Sequence, residues 1–311
     1  MKKIILTLIS ISLLFNVYAR QTPDAGQVLN SAKEKLKQQD YTGSIRDFNK
    51  ALRISPGMED AYRGRAEAKY FISQFDEALR DINKAIEINK SVPEAYLIRG
   101  QIYTATKHYE DAISDFTNAL NLNNNLYEAI VQKALTLSQM NKEKEAFELV
   151  NKSIENNGKV AEFYFCRGVL YNNKQKFEKA LNDLNKCIEL NPDYSTYNVY
   201  MARGYTYLSL QEYKSAKDDF TKSIEAAPSN AAAYSSRARV YYEEGSYNEA
   251  IDDYTKSLAN NSDNATTFFN LGMAYYKIND IKNACERFHK ACSMGNSNAC
   301  KMIVITCVEN K

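Results

Sequence analysis

RGVLYNNKQKFEKALNDLNKCIELNP, residues 167–192, is the stretch from which the fold can be read. Within it Gly168, Tyr171, Phe177, Ala180 and Leu184 stand at intervals that recur at Gly100, Tyr103, Tyr109, Ala112 and Phe116. The same intervals return at Gly204, Tyr207, Tyr213, Ala216 and Phe220. The first two sets lie two periods of 34 residues apart, and the third follows after 36 because Ser195 and Thr196 are inserted. A fixed period of roughly 20–50 residues means stacked copies of one supersecondary unit rather than a single closed globule.

Alignment on these anchors gives eight repeats: 25–58, 59–92, 93–126, 127–160, 161–194, 197–230, 231–264 and 265–298. Apolar residues within each recur at i, i+3, i+4 and i+7, which predicts two amphipathic helices joined by a short turn. Small residues mark the closest approach of the pair. The first helix carries Ala32, Ala66, Gly100, Ala134, Gly168, Gly204, Ala238 and Gly272 there, and the second Ser44, Ala78, Ala112, Ala146, Ala180, Ala216, Ala250 and Ala284. A bulky side chain at such a place would overpack the pair by about 1–3 kcal/mol. Tyr62, Tyr96, Tyr164, Tyr200, Tyr234 and Phe268 share one place near the start of the first helix. With 23 Tyr and no Trp, the chain relies on rings whose hydroxyls can reach a rim. Pro56, Pro192 and Pro228 stand just past second helices, where a missing N–H stops a helix.

These residues together resemble the tetratricopeptide repeat, over about residues 25–298. Arg-Gly-x-x-Tyr at 167–171 and Phe-x-x-Ala-x-x-Asp-x-x-x-Cys-Ile-Glu-Leu-Asn-Pro at 177–192 carry the strongest match. Repeats one, four and eight match the pattern more weakly; Lys35 in the first repeat and Lys69 in the second take an aromatic place, and Glu143 replaces the turn aromatic of the fourth. The resemblance implies an all-α fold, a right-handed superhelix of antiparallel helix pairs, whose first helices line a concave groove. The solenoid is expected over 20–298, with a terminal helix and tail at 299–311. Carried over place by place, the resemblance puts Arg63, Glu67, Tyr70, Leu97, Gln101, Val131 and Leu135 on the groove. Phe165, Val169, Met201, Tyr205, Arg239, Tyr242, Phe269, Met273 and Tyr276 continue it. The groove is thus expected to be charged towards its N-terminal end and aromatic towards its C-terminal end, suited to an extended peptide or helix. Neutral surface and self-association are the alternatives. The Lys and Asn of the family's carboxylate-clamp subset are replaced here by Arg63, Glu67, Leu97 and Gln101, which argues against recognition of a C-terminal carboxylate.

Residues 1–19 read as a secretory signal peptide: Lys2 and Lys3, an apolar stretch from Ile4 to Phe15, and a small-residue cleavage site at Val17-Tyr18-Ala19. The apolar stretch is too short to span a membrane, and none is expected once the leader is removed. Such a leader implies export to the periplasm or beyond, and the Asn- and Lys-rich composition suggests a Gram-negative bacterium. Without Lys2 and Lys3, the 40 Lys+Arg fall to 38 against 38 Asp+Glu. A neutral chain with no basic stripe is a poor nucleic-acid binder.

Six cysteines in an exported chain permit disulfides. Cys285 and Cys292 lie seven residues apart, as do Cys300 and Cys307, with Gly295-Asn296-Ser297 midway. An antiparallel turn at Asn296 sets Cys285 opposite Cys307 and Cys292 opposite Cys300. The expectation is a helix at about 298–308, stapled to its predecessor and covering the last repeat with Met302, Ile303, Ile305 and Val308. Four reduced thiols or a metal cluster is the alternative. Cys166 and Cys187 fall on different faces of one repeat and read as buried small hydrophobes.

Neither His108 nor His289 belongs to a His-Glu-x-x-His set, and no nucleophile elbow or phosphate-cradling loop is present. Asp218-Asp219 and Asp252-Asp253 recur at equivalent places and read as a solvated convex face rather than an acid–base pair. The expectation is therefore a monomeric, non-catalytic scaffold or adaptor of the cell envelope, without a cofactor or bound metal, holding protein or peptide partners. The alternatives are a self-assembling structural component, which a covered C-terminal end opposes, and a regulator or carrier in envelope polysaccharide or lipid handling.

Overall fold

The computed structural model describes residues 24–194 and 196–307; the leader at 1–19, Ser195 and Val308 lie outside the described residues. All regular structure described is helical. The chain divides into two compact bodies between Lys142 and Glu143, inside the fourth repeat. The N-terminal body holds α1 (Ala25–Lys37), α2 (Tyr41–Ile54), α3 (Glu59–Phe71), α4 (Phe75–Ile88), α5 (Pro93–Ala105), α6 (Tyr109–Leu122) and α7 (Tyr127–Gln139). The C-terminal body holds α8 (Glu143–Asn156), α9 (Ala161–Asn173), α10 (Phe177–Leu190), α11 (Thr196–Ser209) and α12 (Tyr213–Ala226). It continues with α13 (Ala231–Glu244), α14 (Tyr247–Asn260), α15 (Ala265–Lys277), α16 (Ile281–Ser293) and α17 (Ser297–Met302), which runs into a π-helical turn at Ile303–Cys307. Within each body successive helices pack on one another, so each is an α-solenoid.

The turn between the helices of a repeat has one recurring shape. The first helix ends at a left-handed residue, and the next amide closes back on the helix, as from His108 N–H to Tyr103 O at 2.8 Å and Glu212 N–H to Tyr207 O at 2.9 Å. Gln39, Ser73, Lys107, Asn141, Gln175, Gln211 and Asn279 take that left-handed place with φ of 56–65°; Gly245 takes it in the seventh repeat.

Small faces large across each packed pair. A Cβ added to Gly204 would lie 2.7 Å from Phe220, and one added to Gly100 would lie 2.6 Å from Phe116. Phe48, Phe116, Phe220, Tyr254 and Phe288, one on each of five second helices, are shut away from solvent. The tyrosines at the start of the first helices are half-buried, and two of their hydroxyls bond at the rim: Tyr96 donates to Lys90 O at 3.2 Å and Tyr164 to Gly158 O at 3.1 Å.

An arginine–aspartate ladder corrects the reading of the paired acids. Asp219 and Asp253 are each only 2% exposed, while Asp218 and Asp252 face solvent. Arg203 donates to both carboxylate oxygens of Asp219 at 2.7 and 2.8 Å, and Arg237 to both of Asp253 at 2.7 and 3.0 Å. The same fork joins Arg65 to Asp81, Arg99 to Asp115 and Arg167 to Asp183. The remaining guanidinium nitrogen reaches the preceding repeat: Arg99 to Asn83, Arg167 to Asn151, Arg203 to Asn185 and Arg237 to Thr221. Arg65, Arg99, Arg167 and Arg203 also lie over the rings of Tyr62, Tyr96, Tyr164 and Tyr200 at 5.4–5.6 Å. A buried acid is tolerated only when its charge and lone pairs are met, and this geometry meets both.

At the C-terminal end Cys285 is bonded to Cys307 and Cys292 to Cys300, with Cα separations of 5.8 and 4.9 Å. Gly295 turns the chain at φ 90°. Ala299, Met302 and Ile303 then pack on the cluster of Phe268, Ala284, Phe288 and Ala291. Cys166 and Cys187 are buried outside these bridges, and burial pushes both thiols up to about 12.

Candidate functional site: clefts along the first helices

In the C-terminal body the first helices α9, α11, α13 and α15 carry side chains that pack partly on the core and line clefts beside it. Phe165 and Val169 on α9 meet Met201 and Tyr205 on α11 around a cleft of about 460 Å³, which Phe177 also lines. Asn172 fixes the floor: its amide donates to Ala202 O at 3.2 Å and accepts from the buried Thr206 hydroxyl at 2.9 Å. Tyr205 also walls a second cleft of about 320 Å³ with Leu208, Tyr213, Arg239 and Glu243. Arg239 and Glu243 in turn enter a third cleft, of about 250 Å³, with Tyr242, Tyr254, Phe269 and Met273. The shared walls make the three clefts successive stations of one trough.

Neighbouring helices hold these walls. Tyr205 packs edge-on against Phe220 with centroids 5.3 Å apart, and its hydroxyl meets the Ser236 hydroxyl at 2.6 Å. Tyr242 stands edge-on to Tyr247 at 5.4 Å, and Phe269 lies 6.0 Å from Phe288. Burial raises the Tyr242 and Tyr254 phenols, so both stay neutral hydrogen-bonding groups. Tyr254 was not expected as a wall. It stands on a second helix at the place other repeats fill with Phe116, Leu184 or Phe220, and its hydroxyl was the available signal.

In the N-terminal body the expected groove residues meet a charged cluster. Arg63 is bonded to Glu59 at 2.9 Å and Asp60 at 2.6 Å, and Lys33 also reaches Asp60 at 2.6 Å. Gln101 donates to Glu128 at 2.9 Å. Burial raises the carboxyls of Glu67 and Glu128; Glu128 adds to the effect on Glu67, and Arg63 offsets it. Tyr70 packs against Phe71 and Phe75.

Three residues assigned to open groove surface are instead core. Leu97 and Val131 are each 5% exposed, and Leu97 packs with Ala112 and Phe116. Met201, 7% exposed, packs with Ala216 and Phe220 and shows only an edge to the cleft. An aliphatic side chain at this place turns in between the helices, which spacing alone does not reveal. Leu135 is half-buried, and Tyr276 is exposed at the end of α15.

Family models described as "Tetratricopeptide repeat" match residues 93–126, 161–194, 197–230 and 266–293, and one described as "TPR repeat" matches 238–279. The first three spans coincide with the third, fifth and sixth repeats as delimited from sequence. A search of curated proteins finds no match. Among solved structures, the crystal structure of the APC/C hetero-tetramer Cut9-Hcn1 superposes with a TM-score of 0.60 at 17% identity. That likeness covers 81% of this chain and 52% of the other, so the chain spans about half its length. MamA 41-end from Desulfovibrio magneticus RS-1 and the MamA RS-1 ArsTM double mutant each match at 19% identity and a TM-score of 0.50. Each covers 54% of this chain and 94% of its own. At such identities the likeness is one of fold.

Proposed function

Given that the chain belongs to the tetratricopeptide-repeat family, we propose that it is a non-catalytic scaffold whose C-terminal trough holds an extended peptide or helix of a protein partner. The observation that carries this reading is the run of clefts walled by Phe165, Tyr205, Tyr242 and Phe269 on successive first helices. Rings that lean on the core with one edge and line a trough with another are placed to receive another molecule's apolar groups. The Cut9-Hcn1 hetero-tetramer offers a precedent, since a protein of this fold there assembles with a second polypeptide.

The site of action we propose is the envelope of a bacterium, after export. The leader-like residues 1–19 and the two C-terminal disulfides support that placement. The partners are then envelope proteins and the scaffold acts as a monomer, because the stapled C-terminal segment covers the face on which a further repeat would stack. Affinity capture from envelope extract tests the trough, with Phe165→Asp and Tyr205→Asp as controls whose helicity is checked by circular dichroism. Both variants are expected to lose the captured partner. Unchanged recovery with two folded variants overturns the reading.

A further inference from the structure

Arg239 is the one arginine on the first helices of the C-terminal body that no carboxylate of the described residues holds. Arg167, Arg203 and Arg237 are each locked in a two-pronged bond to a buried aspartate. Arg237 and Arg239 stand two residues apart on α13, about 200° around the helix, so one serves the ladder and the other the opposite face. There Arg239 is exposed and forms a wall of both the second and the third cleft. A guanidinium is a fixed fork matched to a carboxylate, and apolar walls on either side strengthen such a pair by thinning the water around it.

Glu243 shares both clefts and is the only acid among their lining residues. One further acid can pair with Arg239, while a run of acids would meet repulsion from Glu243. Aromatic and aliphatic walls lie on either side: Phe165, Val169 and Tyr205 in the first cleft, and Tyr242, Phe269 and Met273 in the third. Successive packed helices stand about 8–10 Å apart. The outer clefts are two repeats apart, roughly 20 Å, which an extended chain at about 3.3 Å per residue spans in about six residues.

Resting on the reading of the trough as a peptide site, we infer that its occupant is an extended segment carrying a single acidic side chain. That acid is flanked, about three residues away on each side, by a bulky apolar side chain. The acid pairs with Arg239 and the apolar groups enter the outer clefts. Recognition is internal to the segment and requires no free chain terminus.

The test is fluorescence anisotropy on the full chain with a labelled, terminally blocked probe, Gly-Leu-Ser-Gln-Glu-Gln-Ser-Phe-Gly. Two relatives of the probe replace its Glu by Gln, or both of its Gln by Glu. The expected result is about fivefold weaker binding for the Gln relative, no gain for the three-acid relative, and loss of the Glu preference in Arg239→Gln. Arg239→Glu is expected to prefer a probe with Lys in place of Glu. Equal binding of the Glu and Gln probes, still abolished by Phe165→Asp, overturns the acid assignment and leaves the trough standing. Binding indifferent to Phe165→Asp, or no binding of any probe, overturns both.

Discussion

Among the described residues seven turns hold a non-glycine residue in the left-handed region, and at a single residue this is the plainest opportunity for stabilisation. Lys107, with φ of 65°, is exposed. An L-residue in that conformation costs about 1–2 kcal/mol, part of which glycine's larger unfolded-state entropy offsets. Lys107→Gly is expected to raise stability by about 0.5–1 kcal/mol, read as a shift in urea midpoint. Ladder positions respond in the opposite sense. Arg203→Ala leaves Asp219 buried with its fork unmet, and a loss of about 3 kcal/mol is expected. Arg203→Ala with Asp219→Leu should recover much of it, because the uncompensated charge rather than the lost attraction dominates. Asp47 offers the pH test. Bonding from Lys35 holds its carboxyl at about 2, against the burial that would raise it, with Lys50 and Ser31 assisting. A folded value below the unfolded one, near 4, means the stability is present above about pH 4 and lost as pH falls through about 2. Partial exposure of Lys35 limits it to about 1–2 kcal/mol. Denaturant titrations from pH 5 to pH 2 should show this acid-side loss flattened in Asp47→Asn.

Among the elements, the C-terminal staple is where the chain adds covalent bonds to packing. The Cys285–Cys307 bridge closes a separation of 22 residues and holds a short helix that packs on Phe288 through Met302 and Ile303. Cys285→Ser with Cys307→Ser is expected to weaken that end by about 3 kcal/mol, seen as faster amide exchange confined to α15–α17. In the unreduced, unfolded wild type two thiols should react, Cys166 and Cys187. Helix pairs and this staple's register were legible in sequence because each depends on spacing along one chain. The ladder was not, because a solvated acid and a buried one look alike until the partner sixteen residues back is placed beside it. Only its period, with Arg65, Arg99 and Arg167 standing 34 or 68 apart, hinted at it. The clefts were legible in part: Phe165, Tyr205 and Arg239 stand as walls, whereas Leu97 and Val131 turned inward.

Within each of the two bodies, the governing fact is that successive helices pack on one another. Stability is then a sum of local terms joined by nearest-neighbour interfaces. Gly204→Ala forces a Cβ against Phe220 and should cost about 1–3 kcal/mol, more than the helix propensity that alanine adds. Hydrogen exchange followed by mass spectrometry should place its effect in α10–α14 and leave α1–α6 at wild-type rates. Change across the whole chain would instead indicate all-or-none unfolding. One irregularity shows how far such locality extends. Arg203 finds Asn185 eighteen residues back, where its counterparts Arg99 and Arg167 find their asparagines sixteen back, yet the bond is kept at 2.7 Å. Thr196 opens α11, which is one residue longer than α9, and the connection from α10 to α11 leaves the arginine–aspartate pairing on either side undisturbed. That connection is consequently the natural port for a reporter, such as an epitope tag or a small fluorophore acceptor, spliced in without retuning the stack.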